Sequence, residues 1–256
     1  MKNYSTSKRL SRIAMVLGMA TASLFAQSAM AGDNGAAECA ALPTHAQLKT
    51  SLLAARRANN AGFNLDMWGT VVSRTGVVCA VAYTGQNLGD QWPGSRAISA
   101  QKAYTANAFS LPGLALATAN LYNAVQPGGS LFGLQESNPV VAELAIEGPA
   151  SAWGQVKDPL VGHRMGGINV FGGGLALYNA RGELLGAVGV SGDSSCADHA
   201  IAWRTRSTLN LDYVPGGVGP GGVDQIAYAG DWKQPHCINA ASEDAVVQSL
   251  PATKRR

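Results

Sequence analysis

The first periodic run of apolar residues along the chain is helical. Leu48 and Leu52 recur on one helical face. Thr44 precedes them and Gln47 lies three residues after it, which is the spacing of a capping box. The pattern predicts a helix that begins after Thr44 and ends near residues 59–62, where two asparagines and a glycine follow.

Runs rich in β-branched and aromatic residues predict strands further along the chain. Arg74-Thr75-Gly76 separates the first two runs as a hairpin turn, and residues 179–182 connect the last two in the same way. The predicted strands are Met67–Ser73, Val77–Tyr83, Gly167–Phe171, Leu175–Tyr178 and Leu184–Ser191.

Alanine-rich segments between these strands predict further helices over Ala97–Phe109 and Leu114–Val125. A last helix is predicted from Ser195, with Asp198 three residues later in a second capping-box pattern, to about Leu209. Strands therefore come in adjacent runs that helices separate. This order predicts an α+β fold with helices against an antiparallel sheet, because a doubly wound parallel sheet would need strands and helices to alternate.

Residues 1–31 have the features of a cleavable export signal. Basic residues precede a short apolar run, and Ala29-Met30-Ala31 supplies small residues at the −3 and −1 positions of a cleavage site. The apolar run is too short to span a bilayer comfortably, which needs about 20 residues. We expect the working protein to begin near Gly32 and to be periplasmic or secreted, and no later segment is predicted to span a membrane.

The charge balance changes once the signal is removed. The chain has 19 basic and 16 acidic residues, and four of the basic ones lie in residues 1–31. The mature chain is therefore close to neutral, and we expect neither nucleic acid nor an anionic membrane as a partner. About 225 residues remain, which is enough for one sizeable core.

Composition suggests how these residues are organised. We predict one domain over residues 32–210 and a tail rich in glycine and proline over residues 211–256, mostly irregular in structure. Within the domain, residues 128–162 contain prolines and no sustained period. This segment is predicted to be a structured insertion that carries one short helix or strand.

All four cysteines lie in the mature chain, and an even number in an exported protein favours disulfides. Three pairings are available to four residues, and we favour Cys39–Cys79 and Cys196–Cys237, because each would tie a terminal segment to a core element. Cys196 has an alternative as a reactive thiol, since it lies in the first turn of a predicted helix.

Two glycine-containing motifs resemble catalytic or cofactor-binding patterns without matching them. The segment Gly189-Val190-Ser191-Gly192 lies between a strand and a helix, as in a hydrolase nucleophile elbow, but Asp193 follows where that pattern has glycine. Gly172-Gly173-Gly174 has no third glycine at the spacing of a dinucleotide fingerprint. A glycine bend between two strands is the better interpretation of the latter.

The histidines are candidate metal ligands, but no two have the i, i+4 spacing of a helical zinc site. His45 and His199 begin predicted helices, whereas His163 and His236 lie in predicted loops. His163 precedes Arg164, which places a cation beside an imidazole, and a solvated loop is the alternative interpretation of this segment.

Lys102 and Asp198 have ordinary structural interpretations. A lone lysine on an alanine-rich helix commonly extends to the surface. An aspartate at a helix start commonly accepts hydrogen bonds from backbone N–H groups. From physical reasoning alone, the sequence predicts an exported α+β domain with a pocket whose ligand is not assigned.

Three segments taken together resemble a known family. Gln101-Lys102-Ala103-Tyr104-Thr105-Ala106 is similar to its K-A-x-T-A helix signature. Gly172-Gly173-Gly174 and residues 184–192 are similar to its glycine-rich pair of strands, and Asp198 matches the aspartate that opens the closing helix. This is the GlcG/HbpS-like family of haem-binding and haem-degrading proteins, and the resemblance covers about residues 43–209.

The resemblance implies a profilin-like α/β sandwich with a central antiparallel sheet of about five strands. It also implies a homo-oligomer and, as in some members, a bound haem or other tetrapyrrole. Lys102, Thr105 and Asp198 match the family motif and become candidate ligand-binding residues. The insertion, the cysteines and the tail depart from the family pattern.

A haem site needs an apolar slot, an iron ligand and cations for the propionates. His163 is the first candidate for the iron ligand, followed by His45 and His199. Arg164 and Lys102 are the candidate partners of the propionates.

Two other functions stay open at this point. One is an extracytoplasmic sensor or accessory module that binds no haem and contacts a membrane receptor. The other is an enzyme that acts on a small organic acid, which the association of the family with glycolate use suggests. Among these, an exported haem-binding protein for sensing or scavenging is our leading hypothesis.

Overall fold

The computed structural model describes residues 35–254, so the predicted export signal lies outside the described residues. After a helical turn over residues 35–39, the helices of this part are α1 (His45–Arg56), α2 (Ser95–Phe109), α3 (Thr118–Leu121), α4 (Ser195–Thr208) and α5 (Ala240–Ser249). Its strands are β1 (Trp68–Ser73), β2 (Val78–Tyr83), β3 (Gly174–Tyr178) and β4 (Leu184–Ser191).

The strands form one antiparallel sheet in the order β2-β1-β4-β3. Both hairpins that the sequence predicts are present, and Gly76 and Gly182 supply the positive φ that their turns need (85° and 76°). The long strand β4 lies at the centre beside β1. It ends at Ser191, immediately before the residues that begin α4.

Helices cover both faces of the sheet. On one face, Leu48 and Leu52 of α1 pack in a core cluster with Ile201 and Trp203 of α4 and with sheet residues such as Val188. On the other face, α2 lies directly on the strands. A Cβ at Gly189 would come within 2.0 Å of the Ser99 carbonyl oxygen, so this strand position has room only for glycine. The prediction of an α+β, profilin-like sandwich is confirmed.

The structure differs from the prediction in the number of strands. The described chain has four strands in its sheet rather than about five, because residues 167–171 do not join it. Gly166 and Gly167 have positive φ values of 68° and 78°, which turn the chain away from an extended path. The Asn169 N–H then donates to the Thr105 hydroxyl instead of to a strand neighbour.

The predicted helix over Leu114–Val125 is also shorter than expected. It consists of α3 and a 3-10 turn over Asn123–Val125. The Asn120 side chain accepts a hydrogen bond from the Ala117 N–H at 3.0 Å, so α3 begins only at Thr118.

A buried ion pair attaches the segment 128–162 to the core. Within this segment, residues Ala142–Ala145 and Ala150–Ala152 form 3-10 turns. Arg96 of α2 donates to both carboxylate oxygens of Asp158, at 2.9 and 2.5 Å, and to the Ala145 carbonyl. The Arg96 and Asp158 side chains are 1% and 0% exposed, so this segment is joined to α2 from the inside.

A second buried pair attaches residues 211–254, which are more ordered than the predicted irregular tail because they include α5. Arg206 of α4 donates to both oxygens of Asp224 at 2.6 and 2.9 Å, and it also donates to the Ala176 carbonyl of β3. Both side chains are fully buried. The tail is therefore part of the same packed body as the sheet.

We predict that Asp224→Asn destabilises the protein strongly, because it leaves the Arg206 guanidinium charged and buried without its anion. Removal of one partner of such a pair costs about 3–5 kcal/mol of unfolding free energy. Urea denaturation followed by circular dichroism measures the loss. The control is Glu183→Gln, which breaks the exposed pair with Arg181 and should leave the midpoint close to that of the wild type. Equal midpoints for the two variants would contradict the assignment of the tail to the core.

Candidate functional site

Lys102 of α2 and Asp198 of α4 meet in a buried ion pair. The Lys102 Nζ lies 2.7 Å from Asp198 Oδ2, and their side chains are 2% and 3% exposed. Lys102 Nζ also donates to the Val190 carbonyl of β4 at 3.2 Å, and Asp198 Oδ1 accepts from the Asp193 N–H at 3.0 Å. The structure thus brings together two residues that lie 96 positions apart in the sequence.

The glycine segment Gly172–Gly174 covers this ion pair. A Cβ at Gly173, whose φ is 123°, would lie 3.1 Å from both the Lys102 and the Asp198 side chains and 2.3 Å from the Val190 carbonyl oxygen. A Cβ at Gly174 would lie 2.4 Å from the Lys102 carbonyl oxygen. The bend predicted at these glycines is therefore also a close approach of the backbone, which excludes solvent from the pair.

The local structure at the start of α4 directs Asp198 toward Lys102. Ser194 caps the helix by accepting from the Ala197 N–H, so the capping box predicted at Ser195 and Asp198 is wrong by one residue. With the cap supplied by Ser194, the Asp198 carboxylate is available to Lys102 and to the Asp193 N–H.

Burial raises the pKa of Asp198 to about 6, because the desolvated carboxylate is less stable than the neutral acid. The Lys102 ammonium and the Asp193 N–H oppose this shift by stabilising the charged form. The Asp198 contribution to stability is consequently largest below pH 4 and decreases as the pH rises through about 6.

Thr105 lies one helical turn after Lys102 but has a different neighbour. Its hydroxyl donates to the Gln101 carbonyl at 2.8 Å and accepts from the Asn169 N–H at 2.9 Å. Thr105 therefore positions the segment that leads into the glycines, and its hydrogen bonds do not reach the ion pair.

Arg164 lies on the surface, away from Lys102 and Asp198 in the hydrogen-bond network. Its guanidinium donates to the carbonyl and hydroxyl oxygens of Thr75, both at 2.9 Å, and to Glu38 at 3.1 Å. Its side chain remains 54% exposed.

The candidate histidines occupy three different environments. His163 is exposed on a loop, and its ring makes no hydrogen bond with other residues of the 35–254 segment. His45 Nε2 lies 2.9 Å from the Gly154 carbonyl, which attaches the ring to the insertion. His199 is fully buried beside Gln225, with 2.9 Å between its Nε2 and Gln225 Oε1.

Burial lowers the pKa of His199 to about 4, because the charged imidazolium is desolvated. The ring is therefore neutral at physiological pH. Its Nδ1 is buried without a hydrogen-bond partner among the described residues.

Both disulfides favoured from the sequence are present. Cys39 pairs with Cys79 and Cys196 pairs with Cys237, with Cα separations of 5.4 and 6.0 Å. The reactive-thiol alternative for Cys196 is therefore not observed. The second disulfide attaches the tail to the first turn of α4, two residues before Asp198.

Two side chains that support the site had no assigned role in the sequence analysis. Asp193 accepts hydrogen bonds from the N–H groups of Phe63, Leu65 and Ser194, and thereby fixes the turn before α4. The sequence signal for Asp193 was that it stands where the nucleophile-elbow pattern has glycine. Gln234 of the tail accepts from the Gly172 N–H at 2.8 Å and donates to Ser195 Oγ at 2.9 Å, and no local pattern indicated it.

Comparison with protein families decides the relationship that these residues suggest. Residues 42–206 match the family model described as "Haem degrading protein HbpS-like", which covers more than half of the chain. The chain belongs to the HbpS-like family. The ion pair, the glycine cover and the sheet all lie within the matched region, whereas α5 and the rest of the tail lie beyond it.

Solved structures of similar proteins include Klebsiella pneumoniae protein ORFY, with 25% identity, a TM-score of 0.43, and coverage of 65% of this chain and 90% of that chain. The PduOC:heme complex is 25% identical with a TM-score of 0.45, covering 67% and 96%. HbpS is 16% identical with a TM-score of 0.42, covering 64% and 86%. No curated protein matches the chain.

Between residues 35 and 254, none of the helices combines the length and the apolar character that a bilayer crossing requires.

We predict that Lys102→Met lowers the unfolding free energy by about 3–5 kcal/mol, because it leaves the Asp198 carboxylate buried and unpaired. The double variant Lys102→Met with Asp198→Asn should recover most of this loss, since asparagine keeps an acceptor for the Asp193 N–H. Urea denaturation of the two single variants, the double variant and the wild type gives the coupling energy. Additive losses in the double variant would show that the two side chains are not paired.

We also predict a pH-dependent loss of stability that originates at His199. The unfolded chain takes up a proton at this histidine below pH 6.5, whereas the folded chain does so only near pH 4. The stability that the neutral ring supplies is therefore complete above pH 6.5 and is lost as the pH falls toward 4, by on the order of 3 kcal/mol.

The difference in unfolding free energy between the wild type and His199→Gln isolates this effect, because Asp198 titrates in both proteins. The difference should shrink or reverse by that amount between pH 7 and pH 4. A difference that does not depend on pH would place His199 in contact with solvent.

Proposed function

We propose that the protein is an exported haem-binding protein, periplasmic or secreted, that serves in sensing or scavenging haem. The observation that carries the proposal is the match of residues 42–206 to the HbpS-like family, whose description refers to haem degradation. One similar solved structure is described as a haem complex. Bound haem would supply a redox-active iron and a porphyrin that absorbs strongly in the Soret region.

The ion pair is a poor position for the porphyrin itself. Lys102 and Asp198 are almost fully buried, and the Gly172–Gly174 backbone packs directly on them. A planar ligand next to these side chains would have to displace the glycine segment. We infer that the pair holds the fold around the site and that haem binds nearer to the surface.

His163 fits the requirements of a surface iron ligand better than the other histidines do. Its ring is exposed and without a hydrogen-bond partner in the described chain. Its backbone is fixed, because its carbonyl accepts from the Val78 N–H at 2.8 Å and its N–H donates to the Leu160 carbonyl at 3.1 Å. The ring is thus accessible while its Cα is held in place.

Arg164 supplies a positive charge next to this ring. Hydrogen bonds from Nε and Nη2 to Thr75 and Glu38 fix the guanidinium, and the side chain stays more than half exposed. The remaining N–H groups are available to a propionate carboxylate. Lys102, by contrast, already has its carboxylate partner in Asp198 and is buried.

Two features support action outside the cytoplasm. Both cysteine pairs are oxidised, which is typical of exported proteins. Residues 1–31 have the order of an export signal. In an oxidising compartment, sensing or scavenging of haem is favoured over its metabolic processing.

We further propose that the protein is a homo-oligomer, as the family relationship suggests. Exposed apolar side chains on the insertion support this proposal, among them Phe132, Ile146 and Val156, which are 67%, 75% and 71% exposed. Light scattering coupled to size-exclusion chromatography measures the mass, and a monomer at all concentrations would contradict this part of the proposal.

We predict that the mature protein gives a saturable Soret change when it is titrated with haemin at micromolar concentration. His163→Ala should weaken binding at least tenfold, because the iron loses its axial ligand. His45→Gln is the matched control and should bind as the wild type does, since glutamine can still donate to the Gly154 carbonyl.

The absence of any saturable Soret change would overturn haem binding altogether. Two further readouts then separate the rival functions. A melting temperature raised by a small carboxylic acid but not by haemin would favour an enzyme that acts on an organic acid. Capture of a receptor domain without any small-molecule effect would favour an accessory module. If His163→Ala bound haemin as the wild type does, the iron ligand would have to be another residue.

A further inference from the structure

The tail contains a histidine whose ring makes two side-chain contacts and whose neighbour in the sequence is held by a disulfide. His236 Nδ1 lies 2.8 Å from Glu243 Oε2 of α5. The ring stacks on Tyr228 with 3.8 Å between the centroids and 23° between the planes. The next residue, Cys237, is joined to Cys196 of α4 by a disulfide. His236 therefore has one defined orientation before any ligand arrives.

The contacts of Glu243 determine which nitrogen of His236 carries the proton. The Glu243 side chain is 1% exposed and accepts hydrogen bonds from the N–H groups of Cys237, Ile238 and Asn239. A carboxylate that accepts several such bonds is ionised and can only accept from the imidazole. Nδ1 is therefore the protonated nitrogen, and in the neutral ring Nε2 presents a lone pair.

That lone pair faces another electron-rich atom. Asp244 Oδ1 lies 3.7 Å from His236 Nε2, and the two side chains are 51% and 30% exposed. A lone pair and a carboxylate oxygen repel each other at this distance, and a cation between them, or a water molecule that donates to both, relieves the repulsion.

The geometry points to a metal site: we propose that His236 Nε2 and Asp244 Oδ1 bind a divalent first-row metal ion, with Zn²⁺ as the reference ion. Two ligands of a tetrahedral zinc ion lie roughly 3.4 Å apart, given metal–ligand bonds of about 2.0–2.1 Å. Glu243 then acts as the carboxylate that orients a metal-bound histidine, an arrangement common around protein-bound metals. Water would complete the coordination on the exposed side.

This site is separate from the proposed haem site. His236 and Asp244 lie outside residues 42–206, the region that matches the HbpS-like family. A bound ion would attach α5 to the segment that the Cys196–Cys237 disulfide holds. It would thereby stabilise the tail at its outer surface, whereas the buried Arg206–Asp224 pair stabilises it from the inside.

Isothermal titration of tag-free protein with Zn²⁺ at pH 7.5, without haem, tests the proposal. We expect saturable binding of one ion per chain. Asp244→Asn should weaken binding at least tenfold, and His236→Phe, which preserves the stacking on Tyr228, should abolish it. Glu183→Gln, which removes an exposed carboxylate elsewhere on the surface, is the control and should bind Zn²⁺ as the wild type does.

Nuclear magnetic resonance of the histidine rings identifies the binding atom independently. Zn²⁺ should shift the His236 ring signals at neutral pH, and binding should raise the melting temperature with the logarithm of the Zn²⁺ concentration. Unchanged affinity in Asp244→Asn, or His236 signals that respond to pH but not to Zn²⁺, would show that the cation between these atoms is only a proton and would overturn the proposal. Because Asp244 is exposed, its variant remains informative even if His236→Phe fails to fold. Asp244→Asn should still bind haemin, so a failure of the zinc proposal can be distinguished from a failure of the haem proposal.

Discussion

The ion pair between Lys102 and Asp198 constrains the rest of the structure, because neither charge tolerates burial alone. Lys102 reaches Asp198 only if α2 lies directly on the sheet, and Gly189 permits that approach. Asp198 faces Lys102 only if α4 begins at the Ser194 cap. The backbone of Gly172–Gly174 then excludes water from the pair. The pairing of these two charges away from water therefore depends on three features: the placement of the helices, the glycine in the strand and the turn before α4.

The same physical solution recurs where segments are attached to the family core. Arg96 joins α2 to the insertion through Asp158, and Arg206 joins α4 to the tail through Asp224. Each guanidinium makes paired hydrogen bonds to its carboxylate and one more to a carbonyl. Geometry of this kind suits arginine, whose planar fork satisfies a carboxylate and retains further donors. The Cys196–Cys237 disulfide strengthens the attachment of the tail.

The sequence was sufficient for features that depend on short-range patterns. The first helix with its capping box and both hairpins were predictable, because spacing and turn chemistry determine them locally. The cysteine pairing was one of three possibilities, favoured because each bridge ties a terminal segment to a core element. The strand predicted over residues 167–171 failed because the positive φ values of Gly166 and Gly167 depend on contacts with the insertion and α2. Lys102 and Asp198 became site candidates only through family resemblance, since local patterns suggested a surface lysine and a capping aspartate, and their contact with each other was not predicted. Partners such as Asp158 and Asp224 are distant in sequence, and no local signal distinguishes them from ordinary surface acids.

The residues that we propose to contact haem differ in accessibility from those that hold the fold around them. The ion pair and its glycine cover are closed, whereas His163 and Arg164 are accessible on the surface. The most direct measurement is the absorption spectrum of the protein purified from its native compartment in haem-replete cells. A haem-binding protein of this kind is predicted to show a Soret band that is lost in His163→Ala. Colourless protein recovered from the same compartment, with both disulfides intact, would contradict the account.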